Sequence, residues 1–198
     1  MPIPWADQPF PLLSAKLPEG HKSASPGSLT VFMCMTLAHN TTIRHLNAIH
    51  LQAMGISTSH ATDVHDFLFF AKSWIGVMND SEEQHREFMD GVNQMKAYIY
   101  RVSSSGSMSE YSGSELRRII KGFEGALMRH LREEPVQPLE IGERLRGDGL
   151  KGVWGEFEAW PIKGGMGKWD KTFFPCLNSQ RRELAFVGEG WEAALDGE

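Results

Sequence analysis

The stretch TLAHNTTIRHLNAIH, residues Thr36–His50, decides the fold class, because its apolar residues recur at helical spacing around three histidines. Consecutive residues of an α-helix are about 100° apart around the axis and about 1.5 Å apart along it. His45 therefore lies roughly 120° around the helix from His39. His50 returns near the azimuth of His39, but about 16 Å further along the axis. Ligands of one ion cannot be that far apart, so this helix can offer any metal site one histidine.

The same helical spacing extends beyond this stretch and recurs in three later segments. The apolar stripes predict helices over about residues 28–54, 62–78, 82–102 and 114–133. Four amphipathic helices without strand alternation indicate an all-α four-helix bundle.

The composition along the chain predicts three regions. Residues 1–27 are rich in Pro, Gly and Ser and are expected to form an extended arm. The helical bundle is expected over residues 28–135. Residues 136–198 lose the helical period and contain many Gly and Trp residues, so they are predicted to be an irregular C-terminal extension.

Composition also restricts the class of protein. The chain has 198 residues, 41% of them hydrophobic, which is enough for one domain with a core. Its formal charge of −5 and its lack of basic runs argue against a nucleic-acid or membrane partner. Two distant cysteines, Cys34 and Cys176, suggest no disulfide framework, and no signal peptide or transmembrane segment is apparent. We therefore expect a cytoplasmic protein.

Three histidines and a carboxylate could form a metal site. His39, His85 and His130 each lie on the apolar stripe of a different predicted helix, and Glu134 follows His130 by four residues. That spacing places the last two side chains on one helix face. Inward-facing histidines and carboxylates form non-haem metal sites in bundles, where they suit iron, manganese or zinc. A histidine on an apolar face is more often a hydrogen-bonded core residue, so the spacing leaves both interpretations open.

Four segments together carry a family resemblance. They are PWADQPFPLL (residues 4–13), LAHNTTIRHLNAIHLQA (37–53), EEQHREF (82–88) and RHLREE (129–134). The sequence resembles a fungal-type hemerythrin-like protein, of the family with the HHE cation-binding four-helix bundle. The resemblance covers most of residues 1–135, and the first-helix segment is its most specific part. It implies a carboxylate-bridged diiron centre and a role in oxygen sensing, redox sensing or iron handling.

The resemblance assigns ligands to positions in this chain. It implies that His39 is the first-helix ligand, that His85 is the third-helix ligand, and that His130 and Glu134 are the fourth-helix pair. The first-helix histidines that follow His39 fall at positions that are not ligands.

The second helix departs from the family pattern. DFLFFAKSWI (residues 66–75) resembles the first half of that helix, and GVMNDSEEQH (76–85) resembles the end of the connection that follows it. A segment is therefore missing between Ile75 and Gly76, and with it one histidine and the bridging carboxylate. Met89 stands where a further histidine is often found. We expect a shortened second helix, with a bend or distortion near residues 74–81.

These considerations lead to two hypotheses for function. In the first, the four remaining ligands hold at most one non-haem metal ion, expected to be iron, whose vacant positions would admit dioxygen. In the second, the bundle is a metal-free scaffold or interaction protein with an unknown protein partner. An error in the gene model would also explain the missing segment. The sequence names no substrate and no catalytic residue, which favours a binding role over an enzymatic one.

Overall fold

The computed structural model describes residues 5–21, 24–78, 86–105 and 107–140. Within them the chain forms four long α-helices, three 3-10 turns and a further helical segment at residues 137–140, and no strand. The helices are α1 (Pro26–Gln52), α2 (Ala61–Met78), α3 (Arg86–Ser104) and α4 (Gly113–Glu133). The turns span Trp5–Asp7, Met108–Glu110 and Glu134–Val136. The predicted all-α class and its four helices are confirmed, while the hemerythrin type of the arrangement stays a prediction.

Local chemistry explains where α1 and α4 begin. The hydroxyl oxygen of Ser25 accepts the backbone N–H of Ser28 at 3.2 Å, and Pro26 takes the first helical position, where its missing N–H costs nothing. At the start of α4, the Ser112 hydroxyl accepts the backbone N–H of Glu115, also at 3.2 Å. Both helices therefore begin at serine caps that satisfy an otherwise unpaired N–H group.

Helix α2 is regular through the region where a distortion was expected. It runs without interruption from Ala61 to Met78 and includes residues 74–78. Residues 74–78, where a bend or distortion was expected, are therefore helical without a break. A helix of this length accommodates Gly76, and the buried side chains of Trp74, Ile75 and Met78 stabilise its last turns. Residues 79–85 lie outside the described residues.

The chain divides into two compact units. The first comprises Met1–Leu12 and Thr42–Arg132. Of the second, the structure describes Leu13–Thr41, apart from residues 22 and 23, and Glu133–Glu140. One boundary falls within α1 and the other at the end of α4.

In the first unit, contacts between α1 and α2 show that these helices are antiparallel. The indole Nε1–H of Trp74 donates to the carbonyl of Thr42 at 3.1 Å. His45 Nε2 donates to the carbonyl of Phe70, also at 3.1 Å. His45 follows Thr42 by about one turn of α1, whereas Phe70 precedes Trp74 by about one turn of α2. A later position in one helix thus meets an earlier position in the other.

Helices α3 and α4 are antiparallel by the same argument. Glu87 at the start of α3 pairs with Arg129 near the end of α4 at 2.8 Å. Arg101 near the end of α3 pairs with Glu115 at the start of α4 at 3.0 Å. Exposed ion pairs of this kind contribute little stability. They show which residues of α3 and α4 lie opposite each other, but they do not account for the stability of the arrangement.

The core of the first unit explains the stability of the arrangement. The indole of Trp74 is fully buried and stacks on Phe123, with ring centroids 5.9 Å apart. The apolar stripes predicted for the helices are largely buried, but Phe70 was expected on the inward face of α2 and is 37% exposed. Phe67 and Ala71, which were expected on the same face as Phe70, are buried. Among the described helices, none is long and apolar enough to cross a membrane.

Candidate metal centre

His39 and Glu134 come together in the second unit. The Nε2 atom of His39 lies 3.1 Å from Oε2 of Glu134, and the two side chains are 14% and 21% exposed. His39 lies in α1, whereas Glu134 begins the 3-10 turn that follows α4. The next residue is Pro135, which has no N–H to donate and is buried. The four-residue spacing from His130 predicts Glu134 on the α4 stripe, but Glu134 lies just past the end of that helix, next to Pro135.

The separation of these two atoms suits two kinds of chemistry. A nitrogen and an oxygen bound to one ion at about 2.0–2.2 Å lie roughly 2.8–3.1 Å apart in octahedral geometry and roughly 3.3–3.6 Å apart in tetrahedral geometry. The same separation suits a direct hydrogen bond from the imidazole N–H to the carboxylate. Both side chains are partly exposed to solvent.

The other two predicted ligands are placed differently. His130 lies in the first unit, where its ring contacts that of Phe88 with centroids 5.4 Å apart. His85 lies outside the described residues. Within the part of the chain that the structure describes, no three His, Cys, Asp or Glu side chains are grouped so that they could hold a metal ion. Among the predicted ligands, the described residues thus bring together only His39 and Glu134, and two ligands do not make a complete metal site.

The two remaining histidines of the opening stretch have protein partners. Burial lowers the pKa of His45 from 6.5 to about 4, opposed by its hydrogen bond to the Phe70 carbonyl. His45 is therefore neutral at neutral pH and carries its proton on Nε2. His50 is buried, and its Nε2 accepts the Nε–H of Arg117 at 3.1 Å. Burial, with repulsion from Arg117 and Lys121, lowers the pKa of His50 as well.

Two asparagines of α1 bind the N-terminal arm, which the sequence analysis did not foresee. In the first unit, Asn47 accepts the N–H of Phe10 at 2.9 Å and donates to the carbonyls of Phe10 and Ala6 at 2.9 and 2.8 Å. In the second unit, Asn40 contacts the N–H and carbonyl of Leu13 at 2.7 and 3.1 Å. Their spacing of seven residues puts both asparagines on one face of α1, and this spacing is the sequence signal that was overlooked.

Comparisons with known proteins give one distant likeness. No known protein family matches the sequence, and no solved structure matches it. The chain is similar to the "Dimeric xanthone biosynthesis cluster protein R11" of Cryptosporiopsis sp. (strain 8999), at 25% identity over 207 aligned positions. These positions cover 90% of this chain and 76% of the relative. The alignment is longer than this 198-residue chain although it omits part of it, so the relative contains stretches that have no counterpart here.

Proposed function

We propose that this chain is a hemerythrin-like protein that binds a single non-haem metal ion, with His39 and Glu134 as two of the ligands. The observation that carries the proposal is the 3.1 Å separation of His39 Nε2 and Glu134 Oε2. That separation fits two neighbouring ligands of one ion. Imidazole and carboxylate are also the donors that a ferrous ion accepts readily.

The donor set limits what the site can hold. A carboxylate-bridged pair of irons needs more ligands than the two that the described residues bring together. A single ion needs fewer, and water can occupy the remaining positions. His85 and His130 stay in the proposal as further candidates on the strength of the resemblance. The longer alignment with the xanthone-cluster relative supports a missing segment in this chain, without locating it.

The chemistry of such a site would come from the ion. A ferrous ion with few protein ligands leaves positions open to dioxygen or peroxide. The protein's own contribution would be to hold the imidazole ring through α1 and the carboxylate through the turn after α4.

Metal retention tests the proposal directly. The protein is loaded anaerobically with ferrous iron, desalted, and its metal content is measured by plasma mass spectrometry. We expect about one ion per chain in the wild type and a large loss in His39→Ala and Glu134→Gln, because each removes a ligand. His130→Ala and His85→Ala measure whether those side chains complete the site. His65→Ala is the matched control, since its side chain is 75% exposed on α2.

The alternative is a metal-free helical scaffold, and one observation favours it. The His39–Glu134 contact also satisfies both groups as a direct hydrogen bond, without any ion. Under this alternative, neither the wild type nor any variant retains iron after desalting. Retention that is unchanged in both His39→Ala and Glu134→Gln would also overturn the proposed site.

A further inference from the structure

His50 is a buried polar side chain with an unused hydrogen-bond donor. It is 3% exposed, and its Nε2 atom accepts the Nε–H of Arg117 at 3.1 Å. A neutral imidazole that accepts at Nε2 carries its proton on Nδ1, so Nδ1 is a donor. In the described part of the chain that Nδ1 atom has no hydrogen-bond partner. A buried donor left in this way costs about 1–3 kcal/mol, so the site favours an acceptor.

The charge around His50 is positive. No carboxylate among the described residues forms an ion pair with Arg117, whose guanidinium keeps four further N–H donors beyond the one that His50 accepts. One turn along α4, Lys121 pairs with Glu124 at 3.6 Å and repels a proton on His50 less than Arg117 does. One unbalanced positive charge beside an unused N–H donor matches a singly charged anion better than a dianion.

A short N-terminal strap covers this pair. We define the strap as residues 5–12, which belong to the same unit as His50 and Arg117. Its residue Phe10 is 6% exposed and meets the His50 ring edge-on, with centroids 5.2 Å apart. A ligand that reached His50 by displacing Phe10 would therefore enter a space that now holds a phenyl ring.

The strap is held by a small number of polar contacts. Asn47 binds the backbone of Phe10, and Asp7 pairs with Arg44 at 2.7 Å. The strap carries few apolar contacts beyond Phe10, since Trp5 is 58% exposed. Local opening of a segment like this requires less free energy than unfolding of the helices beneath it.

We propose that His50 and Arg117 form a second binding site, for a small aromatic monocarboxylate, which is reached when the strap lifts Phe10 away. The carboxylate accepts a hydrogen bond from Nδ1 of His50, and the aromatic body replaces the phenyl ring of Phe10. Arg117, bonded to Nε2 on the opposite edge of the imidazole, keeps the proton on Nδ1 and supplies the positive charge. The site lies wholly within the first unit and requires no metal, so it stands independently of the proposed iron site.

The apparent affinity of such a site should depend on how often the strap is open. Only the open state binds, so the apparent dissociation constant is the intrinsic one divided by the open fraction. Asp7→Asn weakens the pair with Arg44 without touching His50 or Arg117, and it should raise the open fraction. We expect Asp7→Asn to tighten apparent binding by about 3- to 10-fold.

Benzoate is the probe, and it is titrated into the full chain in buffer that contains a metal chelator. Binding is measured by isothermal calorimetry and by changes in the imidazole nitrogen resonances of His50. Arg117→Gln removes the charge and should weaken binding at least about tenfold. Glu87→Gln is the matched control for Asp7→Asn, because it removes a carboxylate–arginine pair elsewhere in the same unit. Cyclohexylmethanol, which lacks the carboxylate, should not bind.

The outcomes decide the proposal. Binding that tightens in Asp7→Asn, persists in Glu87→Gln and disappears in Arg117→Gln supports it, as does binding seen in Asp7→Asn alone. Absence of benzoate binding in both the wild type and Asp7→Asn up to about 10 mM overturns it. Binding that Arg117→Gln leaves unchanged overturns it too. If Arg117→Gln does not fold, the His50 resonances decide, because benzoate at this site must shift them.

Discussion

Gly91 of α3 packs so closely against Phe123 of α4 that no side chain fits at residue 91. A Cβ atom built there would overlap both the Cβ atom and the ring of Phe123. Phe123 is 3% exposed and also stacks on Trp74, so it cannot move aside without disturbing the core. Contact between α3 and α4 therefore depends on a glycine.

Gly91→Ala should destabilise the protein. Alanine gains about 1 kcal/mol of helix propensity, but overpacking against Phe123 costs about 1–3 kcal/mol and forces the helices apart. We expect a net loss in the free energy of unfolding, measured by urea denaturation. Gly122→Ala in α4 is the matched control, since its Cβ would meet nothing within 4 Å, and it should be neutral or stabilising. Equal effects at the two positions would contradict the close packing.

The helices could be predicted from the sequence because their information is local. Apolar residues at helical spacing suffice to predict four helices. The observed helix bounds differ from the predicted ones by a few residues, because capping residues decide where a helix begins. Helix α1 begins at Pro26 rather than at residue 28, because Ser25 caps it. Phe70 was expected to be buried and is 37% exposed, because the contacts between helices decide how wide the buried face of α2 is.

The candidate site could be predicted only in part. His39 and Glu134, which were predicted as ligands of one site, are 3.1 Å apart, and their role as metal ligands stays a prediction. The partners of His45 and His50 depend on which helices lie side by side, and no sequence spacing encodes that. The binding of the arm by Asn47 also depends on tertiary structure, because it joins residues 37 positions apart.

Asn47→Ala should release the strap. The substitution removes three hydrogen bonds and leaves the buried N–H and carbonyl of Phe10 without these partners, at a cost of about 2–4 kcal/mol. We expect faster hydrogen exchange at the Phe10 amide and a lower free energy of unfolding. Asn93→Ala is the control, because Asn93 is exposed on α3. If the Phe10 amide keeps its protection in Asn47→Ala, the strap is held by other contacts.

Tyr111→Phe should weaken the end of α1. The Tyr111 hydroxyl donates to the carbonyl of Ala53 at 2.6 Å, in a buried position where helix-end carbonyls need partners. Burial raises the pKa of Tyr111, so the hydroxyl keeps its proton at neutral pH. We expect a loss of about 1–2 kcal/mol in urea denaturation. Tyr100→Phe, on an exposed side chain of α3, should cost almost nothing. A similar loss in both variants would argue against a specific role for the Tyr111 hydroxyl.

Acid should destabilise the protein through His45. Its pKa is about 4 in the folded chain and 6.5 as a model group, so the unfolded state binds more protons between these values. The free energy of unfolding therefore falls as pH decreases from 6.5 towards 4. His45→Gln can still donate to the Phe70 carbonyl but does not titrate. Between pH 7 and pH 4.5, we expect His45→Gln to lose less free energy of unfolding than the wild type, by about 1–3 kcal/mol.

The free energy of unfolding of His45→Gln should still fall somewhat with decreasing pH, because the pKa of His50 is lowered as well. His65→Gln, on an exposed side chain, should follow the wild type. Parallel curves for the wild type and His45→Gln would show that His45 titrates normally and that its hydrogen bond to Phe70 does not hold it neutral.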